Sequence, residues 1–249
     1  MSTFKVSVLF AVCICKIIYS AEKYPRWFIY PTQDECQVIG FSYQGTAPII
    51  DAERMYWIYR ECIVKGLLYR YDDFDERHSD YYYYFPYDSL QRIKGKLFMI
   101  DQFMTSIMPE DYIAMFSIDT SVKIERARIR AEEIPVPSWV DKSYWEDENF
   151  HYGVGMYSSR LNENDAWKSA EERAYFEIMN CIVIHIFSVK ISTKTNYTEF
   201  DETASAVELH FRLRNIQVLE RYPDVKNQLF YVLVRIKKSD VQSPLLNQK

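Results

Sequence analysis

A stretch near the start of the chain recurs near its middle, and an internal repeat restricts what the chain can fold into more than any single residue does. Tyr24-Pro25-Arg26-Trp27-Phe28, Gln37-Val38-Ile39-Gly40-Phe41-Ser42-Tyr43 and Asp51-Ala52-Glu53-Arg54 return as Val136-Pro137-Ser138-Trp139-Val140, Tyr152-Gly153-Val154-Gly155-Met156-Tyr157 and Asp165-Ala166-Trp167-Lys168. The offsets are 112 from Trp27 to Trp139, 115 from Gly40 to Gly155 and 114 from Asp51 to Asp165, so one short early insertion reconciles them. Pro109-Glu110 and Pro223-Asp224 also stand 114 apart. A chain of 249 residues has room for two domains of about 100 residues each, as such a repeat requires.

Hydrophobic periodicity fills in each copy. Residues 36–43 read as a strand leaving through a turn at Gly45, and residues 48–65 carry Ile49, Ala52, Met55, Tyr56, Tyr59, Cys62 and Ile63 at three- and four-residue steps, which predicts an amphipathic helix. Extended pieces follow at 67–71 and 80–86 around an acidic loop, and 97–118 reads as a hairpin turning at Pro109-Glu110. In the second copy, 151–157 reads as a strand, 163–180 as a helix, 182–192 as a strand, and 207–221 with 229–237 as a hairpin across Tyr222-Pro223-Asp224.

A helix between an opening strand and an antiparallel set buries its apolar stripe on one sheet face. The expected fold is therefore α+β, with two tandem two-layer units, each one main helix packed on a mostly antiparallel sheet. The expected division is a signal peptide at 1–20, a first, divergent unit at 21–121, a connector at 122–136 that is charged and then proline-containing, and a second unit at 137–249. Ala166, Ala170 and Ala174 fall four apart and predict a close approach of helix to sheet. Glu171, Glu172 and Glu177, with Lys168 and Arg173 beside them, read as a solvated, ion-paired face.

Lys5, the apolar run 6–15 and Ile18-Tyr19-Ser20 ahead of Ala21 have the layout of an export signal, and the run is far short of the about 20 residues that span a bilayer. The expected location is outside the cytoplasm, periplasmic or associated with an outer membrane. Phe10-Ala11-Val12-Cys13 faintly resembles a lipobox, which makes a lipid on Cys13 the one expected route to a membrane. Loss of the leader would leave Cys36, Cys62 and Cys181. Cys36 and Cys62 are a candidate disulfide, because running back along the strand and forward along the helix brings both to a similar level; closing that loop is worth about 3 to 4 kcal/mol. Three separate buried thiols are the alternative.

Chemistry is sparse. A formal charge of −5 with scattered Lys and Arg lacks the basic footprint that nucleic acid requires. The acidic segment from Asp72 to Asp80 offers carboxylates and His78, but not the spacing of a calcium loop, so no metal and no cofactor is expected. Tyr81, Tyr82, Tyr83 and Tyr84 are candidate ligand- or partner-binding residues: an extended segment of four rings can stack on a sugar or a peptide, or form an edge strand. His78, His151, His185 and His210 fall in no ligand or triad spacing, and nucleophile elbow, phosphate loop and dinucleotide fingerprint are missing. Asn196-Tyr197-Thr198 has the form of a glycosylation acceptor.

Pro137-Ser138-Trp139, Gly153-Val154-Gly155, the helix from Ala166 through Ala170 and Ala174 to Ile178, and the closing segment from Leu229 to Ile236 together resemble the bacterial Lpp-twenty lipoprotein family and the related N-terminal domain of flagellar assembly protein T. The first unit keeps Pro25-Arg26-Trp27, Gly40 and Asp51-Ala52, but has Met55 and Tyr59 where the alanine stripe would continue. The resemblance implies two tandem divergent copies of such a unit in a non-enzymatic envelope protein, often lipid-anchored, with a role in outer-membrane or flagellar assemblies. It brings no catalytic residues. The functional expectation is an exported envelope protein of structural or protein-interaction type, with envelope proteins or a second copy of itself as partners. The alternatives are a glycan- or peptide-binding module using Tyr81 to Tyr84, Trp57 and Trp145, and a metal-dependent hydrolase using the carboxylates between Asp72 and Asp80.

Overall fold

The structure, a computed structural model, describes residues 23–43, 45–70, 77–84, 92–105, 111–158, 162–194 and 207–242, and only the backbone of 61–70, 77–84, 183–194 and 207–211. The leader 1–20 with Cys13, the acidic residues 72–76 and Asn196 lie outside the described residues.

Among those residues the fold is α+β: three helices lying on several small antiparallel sheets. A short helix α1 (Arg26–Ile29) follows strand β1 (Lys23–Pro25). Strand β2 (Gln37–Phe41) leads into helix α2 (Pro48–Arg60), which lies on a sheet of order β2-β6-β5 completed by the hairpin of β5 (Phe98–Met104) and β6 (Tyr112–Ser117). Later in the chain, β8 (Tyr144–Glu146) and β9 (Phe150–Ser158) precede the long helix α3 (Glu163–Lys194). That helix lies on a sheet of order β11-β12-β9-β8, completed by β11 (Gln217–Asp224) and β12 (Leu229–Lys237). A third sheet, β13-β10-β3-β4, draws β3 (Glu61–Arg70) and β4 (Arg77–Tyr84) from the first half and β10 (Val207–Arg214) and β13 (Val241–Gln242) from the second. The expected connector is extended where it pairs: β7 (Arg128–Arg130) lies antiparallel to β1, and a single 3-10 turn at Ala131–Glu133 follows.

Two glycines set how closely the main helices approach their sheets. A Cβ on Gly40 would stand 2.0 Å from the Pro48 carbonyl oxygen, and one on Gly155 would stand 1.9 Å from that of Ala170, so only a bare α-carbon fits beneath either helix. Ala166, Ala170 and Ala174 are all buried over this floor, as their spacing predicts. The helix ends of the repeat do not correspond, however. Gly40 meets Pro48 and Ala52, whereas Gly155 meets Ala170 and Ala174, so α3 crosses its sheet about two turns beyond the Asp165-Ala166 echo.

One apolar cluster extends through both halves. Phe28 on α1 is its hub, with ring centroids 5.1 Å from Trp167, 5.0 Å from Phe103 and 6.2 Å from Phe41.

Several elements differ from expectation. The helix expected over 48–65 stops at Arg60, and Cys62 and Ile63 lie in β3; the largely apolar run after Glu61 suits a strand paired on both sides within a sheet, which periodicity alone does not separate from a helical stripe. The strand expected over 182–192 is instead the continuation of α3, because neither Gly nor Pro interrupts the chain after Asn180. The strand expected over 207–221 divides at Asn215, whose φ of 54° turns the chain from one sheet into another. Pro223 lies inside β11 rather than at a turn, and β11 is an edge strand, where a missing N–H is tolerated.

Candidate functional site

Two acidic and two basic side chains lie in the interior where α2, α3 and β11 converge. Asp51 on α2 and Lys168 on α3 are buried and paired at 2.9 Å between Oδ1 and Nζ, an ionic contact that lacks hydrogen-bond alignment. The other Asp51 oxygen accepts the Phe41 backbone N–H at 3.1 Å, which fastens the first turn of α2 to β2. One helical turn along α3, Glu171 accepts from Arg221 of β11 at 2.5 Å, and its second oxygen accepts the hydroxyls of Tyr59 and, at 3.2 Å, Tyr175. The Arg221 guanidinium donates in turn to the Phe28 carbonyl at 2.9 Å and lies 4.6 Å from the Phe28 ring and 5.9 Å from that of Phe41. Arg221, Tyr59 and Tyr175 thereby converge on one buried carboxylate, and Arg221 extends the connection to Phe28 and Phe41.

Polar contacts at the start of α3 continue the connection. Glu163 accepts from the Tyr24 hydroxyl at 2.7 Å and the Trp167 indole at 3.1 Å, while Asn164 accepts from Thr105 at 2.5 Å and donates to Ser42 at 2.6 Å. The end of α2 is closed by the second half, since Asn215 and Ile216 donate their N–H groups to the carbonyls of Arg60 and Tyr59.

The electrostatics identify what this cluster does. Burial alone would raise the Glu171 pKa, but the charges of Arg221 and Lys168 and the Tyr59 hydroxyl outweigh it and hold the carboxyl below its ordinary range. Burial, then the Glu171 charge, pushes the Tyr59 and Tyr175 hydroxyls well up. A carboxylate that stays ionised and phenols that stay protonated brace elements together; they are poorly tuned to move a proton near neutral pH. Above the cluster opens a cleft of about 100 Å³, lined by Tyr59, Arg60, Val38, Ile39, Met115 and Val218. Ligand sites are commonly about 300 Å³ or more, so this one admits only a few water-sized groups.

The sequence reading placed Glu171 and Lys168 on a solvated face, and the structure corrects this: both are fully buried, with Glu172 and Glu177 half-buried and Arg173 exposed. The missed signal was available. Trp167 and Tyr175 stand four residues either side of Glu171, so the carboxylate is flanked along its own helical face by two large aromatic groups.

Tyr81, Tyr82, Tyr83 and Tyr84 end β4, which borders the third sheet, in register with Gly66, Lys65, Val64 and Ile63 of β3. Cys36 carries a free thiol; Cys62, its candidate disulfide partner, lies in β3 rather than in the helix, and its side chain is outside the described residues. Trp57 and Trp145 have different ring partners, Tyr56 for the first and, at 4.8 Å and parallel, Tyr152 for the second. His151 lies 2.7 Å from the Tyr144 hydroxyl and 3.2 Å from Glu146, which also meets Lys238 at 3.1 Å. Among the described residues no group of three or more His, Cys, Asp or Glu side chains is placed to hold a metal ion, and no helix is long and apolar enough to cross a membrane. No family model matches the chain, and no curated protein and no solved structure is significantly similar to it.

Proposed function

We propose that this chain is an exported bacterial envelope protein of structural or protein-interaction type, built from two tandem copies of an ancestral unit akin to the Lpp-twenty and flagellar assembly protein T domains, and working without catalysis. The duplication is supported by a shared winding. In both halves a strand leads into a helix and a hairpin returns its last strand beside the first, in the orders β2-β6-β5 and β9-β12-β11, with Gly40 and Gly155 under the helices. Export is supported by the layout of residues 1–20.

The observation that carries the interaction role is the position of the tyrosine segment. Tyr81 to Tyr84 form the end of an edge strand, whose outer row of backbone donors and acceptors can pair with an extended segment of another envelope protein, or with a second copy. The buried brace suits this role, because it fixes the frame from which an edge is presented. The test is expression from the native start codon, intact-mass measurement and cross-linking in the envelope. The expected result is a mature protein lacking residues 1–20, with a cross-linked partner lost on Tyr82→Ala with Tyr84→Ala. A full-length mass in the cytoplasm overturns the export reading, and cross-links unchanged in the double variant overturn the edge.

A further inference from the structure

A second, separate feature also borders α2. A surface groove of about 470 Å³ is lined by Tyr56 and Trp57 of α2, Ile93, Phe98 of β5, and Ile118 just past β6. Two of its apolar wall residues are uncovered: Phe98 is 50% exposed and Ile118 39%. Large apolar groups gathered at one place on a surface mark contact sites more often than the same residues scattered singly.

The rim is basic. Arg92 and Lys96 line the groove and Lys94 stands exposed between them, on a turn anchored by the buried Ile93 and Leu97. Two acids lie nearby, Glu53, which accepts the Gly95 N–H at 3.0 Å, and Asp119, which accepts that of Ser121 at 2.8 Å. The three cations within five residues outnumber them, on a chain whose formal charge is −5. The Trp57 indole N–H is buried and has no acceptor among the described residues. On the groove's side wall, β5 borders its sheet and, among the described residues, pairs with no strand but β6, while Arg128 reaches its Gln102 carbonyl at 3.5 Å.

We propose that this groove docks an acidic, extended segment of another protein, with a bulky apolar side chain seated among Trp57, Phe98 and Ile118 and carboxylates on Arg92, Lys94 and Lys96. Charge complementarity selects the occupant: an apolar floor with a cationic rim favours alternating acidic and apolar residues and disfavours basic ones. The extended form follows from the free edge of β5. The inference stands independently of export and of the tyrosine edge on β4.

The test pans a random-peptide display library against the immobilised full chain, then measures enriched peptides by fluorescence anisotropy. Expected are peptides rich in Asp or Glu interleaved with Leu, Ile or Phe. Their binding should weaken about tenfold or more in the Arg92→Glu, Lys96→Glu double variant and in Phe98→Ser, fall in about 0.5 M salt, and persist in Tyr82→Ala with Tyr84→Ala. All three groove substitutions are at exposed positions, and circular dichroism checks that the fold is kept. Failure to enrich any peptide, enrichment without acidic bias, or binding unchanged by charge reversal overturns the proposal. So does self-association abolished by the same substitutions, which would assign the groove to a second copy of this chain.

Discussion

Replacing Glu171 by Gln tests the brace directly. The change keeps shape but leaves the Arg221 guanidinium, whose side chain is 1% exposed, without its counter-charge in a dry site. It also leaves one acceptor oxygen for three donors, since Tyr59, Tyr175 and Arg221 all converge on this side chain. Removing one partner of a buried pair costs about 3 to 5 kcal/mol. At about 2 to 4 °C per kcal/mol for a protein of this size, the melting temperature should fall by roughly 6 to 20 °C. The complementary experiment removes both charges. In Glu171→Met with Arg221→Met no charge of this pair is stranded, and the residual loss is the two tyrosine hydroxyls without an acceptor and the Phe28 carbonyl without its donor, about 1 kcal/mol each. Urea titrations followed by tryptophan fluorescence at pH 7 measure Glu171→Gln and, as the four corners of a cycle, the parent, Glu171→Met, Arg221→Met and the double variant. A Glu171→Gln cost below about 1 kcal/mol, or a double variant as unstable as the sum of the singles, would refute the assignment of these residues as one coupled unit.

Two further outcomes follow from the same framework. Gly155→Ala should destabilise by about 3 kcal/mol, at the upper end for overpacking, because the added carbon meets the Ala170 carbonyl rather than a movable side chain; retention of parental stability in the same titration would show that α3 lies farther from its sheet. The lowered Glu171 pKa gives an acid dependence of definite sign: its contribution is fully present above the unfolded carboxyl value, about 4.3, and is lost as pH falls through the lower folded value. Acid melts should therefore steepen below about pH 4, and Glu171→Gln should flatten that limb. An unchanged limb in the variant would place the acid sensitivity elsewhere.

Residues whose surroundings are set locally were legible in the sequence. The Gly40 and Gly155 strands, the alanine stripe of α3, the β5–β6 hairpin and the extended segments around residues 71–76 all stand where periodicity and punctuation place them. Illegible were features decided by the other half of the molecule. Nothing near Cys62 announces that β3 will be sandwiched between β4 and β10, so an apolar run that continued the helical stripe was assigned to the helix. Lys168 and Glu171 stand three apart and read as a surface pair; their real partners, Asp51 and Arg221, come from distant parts of the chain. A helix covered on one side by its sheet is ordinarily wet on the other, and the sequence of α3 yields the exception only when Trp167 and Tyr175 are read as covering both flanks.

The mixed sheet imposes an order of events during synthesis. The β3–β4 hairpin leaves the ribosome early, yet the neighbour that covers the inner side of β3 is β10, translated after about half the chain has followed. Until then the nascent protein carries a two-stranded ribbon with a bare side, a marginal arrangement in water and a template for the wrong strand. Ribosome-bound chains stopped before Val207 should therefore recruit holdases or clump, and severing the gene between the two halves should yield fragments that become soluble only when produced together.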